Sequence, residues 1–191
     1  MTTVYDAGEI LVGGFTDVFV ADVGTAFPTT ITSPTETYAG WHHLGYTNEN
    51  GVKPGGSKTI GDIRSSQAFF PTRKIVTAID TTLEFELQQW NSVNIILAFG
   101  GGEVTEPTNN IFKYTPPEAS FIDERAMLCR TVDTDRVYLW GYTRVLNTKA
   151  YTSELVRTKE AVLPIGMSLL DPGDDDPWFL LTNDQAFTLG S

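Results

Sequence analysis

Cysteine is almost missing from this 191-residue chain, with Cys129 the only one. No intrachain disulfide can form, so a small disulfide-stapled fold is excluded. Cys129 sits in the strand-like run Ala126-Met127-Leu128-Cys129, the setting of a buried, inert thiol rather than a nucleophile. There is no run of about eighteen apolar residues, so no membrane span is expected. The opening MTTVYDAGEI has no basic n-region, and no secretory leader is expected in it.

Positive charge is absent from both ends. Residues 1–52 hold Asp6, Glu9, Asp17, Asp22, Glu36 and Glu49 with no Lys or Arg, and residues 160–191 hold Glu160, Asp171, Asp174, Asp175, Asp176 and Asp184, again with none. All 13 basic residues lie between, and the net charge is −11. So acidic a chain is a poor stable binder of nucleic acid, since affinity there comes from neutralising phosphates. The acidic ends read as solvated arms or, more sharply, as partners for the basic middle of neighbouring copies.

Catalytic signatures are also lacking. Glu84 and Glu86 lie two apart, about 6.5–7 Å along a strand. That approaches the carboxylate separation of inverting glycosidases, but alternating glutamates on a wet strand face are the ordinary reading. His42 and His43 are adjacent and point to opposite faces of a strand, so they cannot chelate one metal. Asp171, Asp174, Asp175 and Asp176 could hold calcium, yet their spacing does not fit an EF-hand loop and a solvated turn is expected. Gly100-Gly101-Gly102 follows a helical pattern instead of opening one, which argues against a phosphate site. No enzyme, cofactor or metal is expected.

What is present is strand patterning. From Thr81 to Gln88, Leu83, Phe85 and Leu87 alternate with Glu84, Glu86 and Gln88, which predicts a strand with one buried face. Asn91 then supplies an N-cap. Val93, Ile96, Leu97 and Phe99 give a short helix an apolar stripe, and Gly100 ends it in the left-handed C′ position. So short a helix is not stable alone and must lie on a sheet. Further strands are expected at 17–23, 38–48, 58–64, 73–89, 111–114, 125–132, 136–145 and 161–170, with a short one at 178–181. Asp133-Thr134-Asp135 joins a hairpin whose second strand is bulky on both faces, with Val137 and Leu139 against Tyr138, Trp140 and Tyr142. Such a strand is covered on both sides, or covered by a partner chain. Pro164 is tolerable at an edge or bulge. The segment ENGVKPGG, 49–56, is turn chemistry throughout. The fold class is therefore mainly β: a β-sandwich with one short helix packed on the sheets, and extended loops and arms.

Several ordered segments carry a resemblance. Phe19-Val20-Ala21-Asp22-Val23-Gly24-Thr25-Ala26-Phe27-Pro28 is followed by Gly40-Trp41, by Leu44-Gly45-Tyr46-Thr47 and by Ile60-Gly61-Asp62-Ile63-Arg64. Then come Arg73-Lys74-Ile75-Val76-Thr77, the alternating strand and Leu97-Ala98-Phe99-Gly100-Gly101-Gly102. In that order they resemble the major tail tube proteins of long, non-contractile-tailed bacteriophages, over residues 18–104 and beyond that by strand content.

The resemblance implies a single tail tube domain over 1–191, with an N-terminal arm at 1–16, a long hairpin loop at 46–58 and a C-terminal extension at 171–191. It implies copies assembling as stacked hexameric rings into a virion tail tube, built in the host cytoplasm and passing DNA without specific binding. The implied partners are further copies of the chain, a tape measure protein in the lumen, and tail terminator and baseplate or tail-tip proteins, with no membrane. On this reading Glu84 and Glu86 are candidates to line the lumen. Glu49, Asn50, Lys53, Pro54 and Lys58 are candidates for an inter-ring loop. Asp171, Asp174, Asp175 and Asp176 are candidates for an acidic assembly tail. The alternative is a monomeric β-sandwich that binds carbohydrate or a receptor, with Trp41, Trp140 and Trp178 as sugar platforms.

Overall fold

The computed structural model describes residues 9–188. Ten strands are assigned among them: β1 (Phe15–Asp22), β2 (His42–His43), β3 (Lys53–Ile63), β4 (Arg73–Leu87), β5 (Glu103–Thr108), β6 (Ile111–Thr115), β7 (Glu124–Asp133), β8 (Arg136–Asn147), β9 (Leu163–Leu169) and β10 (Trp178–Thr182). One helix, α1 (Ser92–Ala98), lies between β4 and β5, and a 3-10 turn, Gln185–Phe187, follows β10.

The main sheet is antiparallel in the order β2-β1-β7-β8-β9-β4-β3. On its side away from β7, β8 carries two partners in succession. Its first part, Tyr138–Tyr142, pairs with β10, and its end, Val145–Asn147, pairs with β9. β5 and β6 form a separate hairpin.

Residues 42–48 tie the two flanks of the sheet together. His42 and His43 pair with Val20 and Phe19 of β1, and the Leu44 N–H donates to the Val18 carbonyl at 2.9 Å. A few residues on, Tyr46 accepts from the Gln88 N–H, and the Asn48 N–H donates to Glu86 at 3.0 Å. The sheet thus curls into a mainly β, sandwich-like body around a core of Val18, Val20, Leu44, Phe85, Met127 and Ile165. α1 contributes Leu97 and Ala98 to this core.

A second cluster covers the other face of β1, β7 and β8: Phe19, Trp41, Ala126, Leu128 and Leu139, with Phe27, Tyr38 and Leu181 against it. Coverage on both faces explains why β1 and β7 read as continuous apolar runs. The loop that brings in Phe27 and Tyr38 is fastened by Arg130, which is buried. Its guanidinium donates to Asp17 and to the Glu36 carbonyl, and lies 5.2 Å from the Phe19 ring centre.

Alternation in β4 holds as expected: Leu83, Phe85 and Leu87 are buried, and Glu84 and Glu86 turn the other way. Asn91 caps α1, accepting from the Asn94 N–H at 2.9 Å, and Gly100 takes a φ of 74°. The buried side of the helix is rotated from the expected stripe, to Asn94, Leu97 and Ala98. Phe99 stays outside and stacks on Tyr151. The β7–β8 hairpin turns at Thr134, with φ 61°, and both faces of β8 are covered by the chain itself.

Two expectations are corrected. The strand expected at 38–48 is regular only at His42–His43, because this segment changes partner from β1 to β4 midway. The hairpin expected to join 38–48 to 58–64 through a loop over 46–58 does not form: Thr47 and Asn48 bond β4 at Leu87 and Glu86, a short turn follows at Asn48–Gly51, and Lys53, Pro54 and Lys58 belong to β3, which continues along the same edge of β4. Pro54 and Gly55-Gly56 are tolerated because β3 is an edge strand. Within the C-terminal extension the short strand expected at 178–181 is present as Trp178–Thr182, and the Asp184 carboxylate bonds Tyr138 and Arg136. Residues 1–8 of the 1–16 arm lie outside the described residues; in its second half the Val12 N–H donates to Asp133, and β1 already begins at Phe15.

Candidate functional site

The most unusual surface is the far part of the β3–β4 hairpin. Every residue from Arg73 to Asp80 is exposed, and so is nearly all of β3. The register gives Thr59↔Ala78 and Ile60↔Val76, so Thr77 is a bulge that switches the alternation. As a result Ile60, Val76 and Ile79 share one face, while Ile63 and Ile75 share the other with Gly61. All five are exposed. At the tip, 64–72, Phe69 is 100% exposed and Phe70 82%. A two-stranded ribbon with apolar side chains on both faces and nothing packed on either is marginal in water. It is also an unguarded apolar surface.

Charge on the ribbon is basic. Between Ile63 and Ile79 lie Arg64, Arg73 and Lys74 and no acid. Lys74 pairs with Asp62 at 2.7 Å and Arg64 with the same carboxylate at 3.3 Å.

At the ribbon's root, Glu84 and Glu86 face away from α1 and from the core. Glu84 is half-exposed and meets Lys149 Nζ at 2.8 Å. The Lys149 stem crosses β9 at Gly166, where a Cβ would come within 2.8 Å of it. The hydrogen bond from Lys149, with its charge, holds the Glu84 carboxyl below its usual range. Glu86 accepts from Asn48 Nδ2. Asn50, Gly51 and Lys53 complete this polar surface, so the two glutamates sit in a mixed-charge setting.

Asp171, Asp174, Asp175 and Asp176 lie in the exposed β9–β10 turn. The Asp171 side chain accepts from the Gly173 N–H, and its carbonyl takes a bond from Arg144. Among the described residues no group of three or more His, Cys, Asp or Glu converges as a metal cage. Glu49 is exposed at the Asn48–Gly51 turn. The structure therefore brings Glu84, Glu86, Asn50 and Lys53 together and places Lys58 farther along the ribbon.

A cavity of about 200 Å³ opens between the end of β1 and α1. Val20, Val93, Ile96 and Leu97 form its apolar wall, with Asp22, His42 and Asp123 on its polar side. Asp123 is buried; Arg125 Nε donates to its Oδ1 at 2.8 Å, and its Oδ2 has no partner. Burial pushes its carboxyl above the usual range, against the pull of Arg125.

His42 borders this cavity, while His43 turns to Asp17. The Gly45 N–H donates to His43 Nδ1 at 2.9 Å, so Nε2 carries the proton toward Asp17. Cys129 is buried, and burial pushes its thiol up to about 12. Of the three tryptophans considered as sugar platforms, Trp41 is buried and Trp178 is exposed. Trp41 is buried against Phe27 and donates to the Ala26 carbonyl, and Trp140 stacks on Trp178 at 5.9 Å.

Strands at 58–64 and 73–89 are read in the sequence; their pairing with each other as an exposed ribbon is not, because Pro54-Gly55-Gly56 has the composition of the turn. The available signal was Phe69-Phe70, two large apolar residues in a bend that ends at a proline.

A family model described as phage tail tube protein matches residues 3–190. No curated protein matches the chain. With nearly its whole length matched, and with a mainly β body extended by a long exposed hairpin, the chain belongs to the phage tail tube protein family.

Proposed function

We propose that the chain is a non-enzymatic, single-domain building block that assembles as hexameric rings, stacked into a tube through which DNA leaves the virion. Family membership makes it a structural component of a phage tail. The ring, the stack and the conduit extend that statement, and the resemblance noted in the sequence suggests them. The observation that carries the reading is the β3–β4 ribbon, with Ile60, Val76 and Ile79 exposed on one face and Ile63 and Ile75 on the other. A surface apolar on both sides suits burial between two neighbours, one against each face.

In such a tube the face of Glu84 and Glu86 lines the lumen. It points away from the core and is polar, as a channel that passes phosphate without holding it requires. Because Lys149 partly offsets Glu84, the repulsion is mild. The Glu49–Lys58 segment and the Asp171–Asp176 turn lie at contacts between copies. The tape measure protein, the terminator and the baseplate proteins meet the tube at its lumen and ends, and assembly takes place in the host cytoplasm before the tail joins the virion. A sugar-binding module is disfavoured because Trp41 is enclosed.

Negative-stain microscopy with sedimentation analysis of the purified chain tests the proposal. Six-fold rings or tubes of uniform width are expected at high concentration. A species that stays monomeric at every concentration and salt level would rule it out.

A further inference from the structure

We propose that the Phe69–Phe70 tip of one copy's ribbon seats in the cavity beside α1 of a second copy. The inference rests on the assembly reading and specifies one of its contacts.

Three observations carry it. The first is complementary shape and polarity. The tip offers two aromatic rings with no cover, and the cavity offers about 200 Å³ walled by Val20, Val93, Ile96 and Leu97. Burying an aromatic ring in an apolar recess is the usual anchor of a protein interface.

The second is charge. Asp22, Asp123 and Arg125 border the cavity; Arg125 pairs with both carboxylates, which leaves the rim with one negative charge in excess, and Asp123 Oδ2 is buried without a donor. An unpaired buried carboxylate oxygen is costly. The tip brings Arg64, Arg73 and Lys74 alongside the two phenylalanines. Arg64 and Lys74 share Asp62, while Arg73 has no ion-pair partner among the described residues. The exposed Asp22 carboxylate at the rim attracts a guanidinium arriving with the ring.

The third is direction. Asp22 is level with Arg125, Val145 and Leu169 across the sheet. From that level β4 runs back through Asp80 to Arg73, in the sense that leads along β1 toward Phe15. The cavity lies at the other end of β1, so a copy's own tip points away from its own cavity. Tip and cavity are different surfaces on one molecule. Their union is a heterologous contact, which repeats into a ring or an open stack.

Disulfide trapping tests the contact. Phe69→Cys and Ile96→Cys are prepared separately and mixed under assembly conditions with mild oxidant. Cys129 is buried and stays silent. A covalent dimer is expected in the mixture and in neither variant alone. Charge exchange gives a second readout. Arg73→Glu and Asp22→Arg each raise the concentration needed for assembly about ten-fold, and together they restore it. Circular dichroism of Phe69→Cys, which alters a wholly exposed side chain, guards against misfolding. Assemblies that form without the crosslink, with charge exchange that fails to restore them, would overturn this inference and leave the assembly reading standing. A wild-type protein that never associates would overturn both.

Discussion

Asn94 Nδ2 donates to the Leu44 carbonyl and to the Gln89 carbonyl, each at 2.8 Å. One buried amide thus joins α1 to the segment that ties the flanks of the sheet together. Leu44 is itself fully buried, so its carbonyl has no access to water. Asn94→Leu leaves the buried Leu44 carbonyl unpaired and is expected to destabilise the fold by about 2 kcal/mol. Urea denaturation measures it; a loss below about 0.5 kcal/mol would mean that the helix is held by Leu97 and Ala98 alone.

Arg130 and Asp17 form the next test. Burial favours the neutral form of Asp17, but hydrogen bonds from Arg130 and His43 outweigh it and hold the carboxyl below its ordinary 3.8. A folded value below the unfolded one means that the pair's stabilisation is present above pH 3.8 and lost as pH falls through the folded value. Arg130→Met also removes the bond to Glu36 and the contact with Phe19, at an expected cost of about 3 kcal/mol near pH 7. The gap between variant and wild type should narrow in acid. A gap unchanged from pH 7 to about pH 2.5 in urea melts would show that packing, not charge, dominates the site.

Gly141 lies beneath Phe179, and a Cβ there would come within 2.3 Å of the ring. Phe179 in turn stands edge-on to Phe27. Gly141→Ala must displace the ring, which loosens β10 and the 27–41 loop together at about 1–3 kcal/mol. Hydrogen exchange is expected to show residues 178–182 protected in the isolated wild type and unprotected in the variant. Exposure already in the wild type would mean that β10 is not held in the isolated chain.

The local patterns were legible in sequence. Leu83, Phe85 and Leu87 declared β4, Asn91 and Gly100 bracketed α1, and Asp133-Thr134-Asp135 marked the β7–β8 turn. What could not be read was pairing. Pro54-Gly55-Gly56 has turn composition, yet β4 offers these residues a strand partner and an open edge makes the proline harmless. Tyr38–Asn48 looks like one strand, but it hydrogen-bonds first to β1 and then to β4. Asn94 breaks the apolar stripe of α1 and still occupies its buried side, because two carbonyls wait there. Each miss is a long-range contact overriding a local signal. The face of Glu84 and Glu86 followed from period two, while Lys149 beside Glu84 depends on a register that no local pattern encodes.

Removing the ribbon separates folding from association. The residues of both core clusters lie outside Thr59–Thr77. Joining Thr59 to Ala78, which are register partners, through an Asn-Gly turn keeps the pairing and suits the twist of the remaining strands. The exposed ribbon contributes little burial in the monomer, so the shortened protein should unfold cooperatively, with a midpoint within about 4 °C of wild type. Its solubility should rise, because Ile60, Phe69, Phe70 and Val76 leave with the ribbon. In an assembly the same surface is buried between copies, and its loss removes the contact as a whole. Sedimentation is therefore expected to find a folded monomer at concentrations where wild type forms large species. Tubes of wild-type width from the shortened protein would mean that the body alone carries the contacts between copies, and that the ribbon has another use.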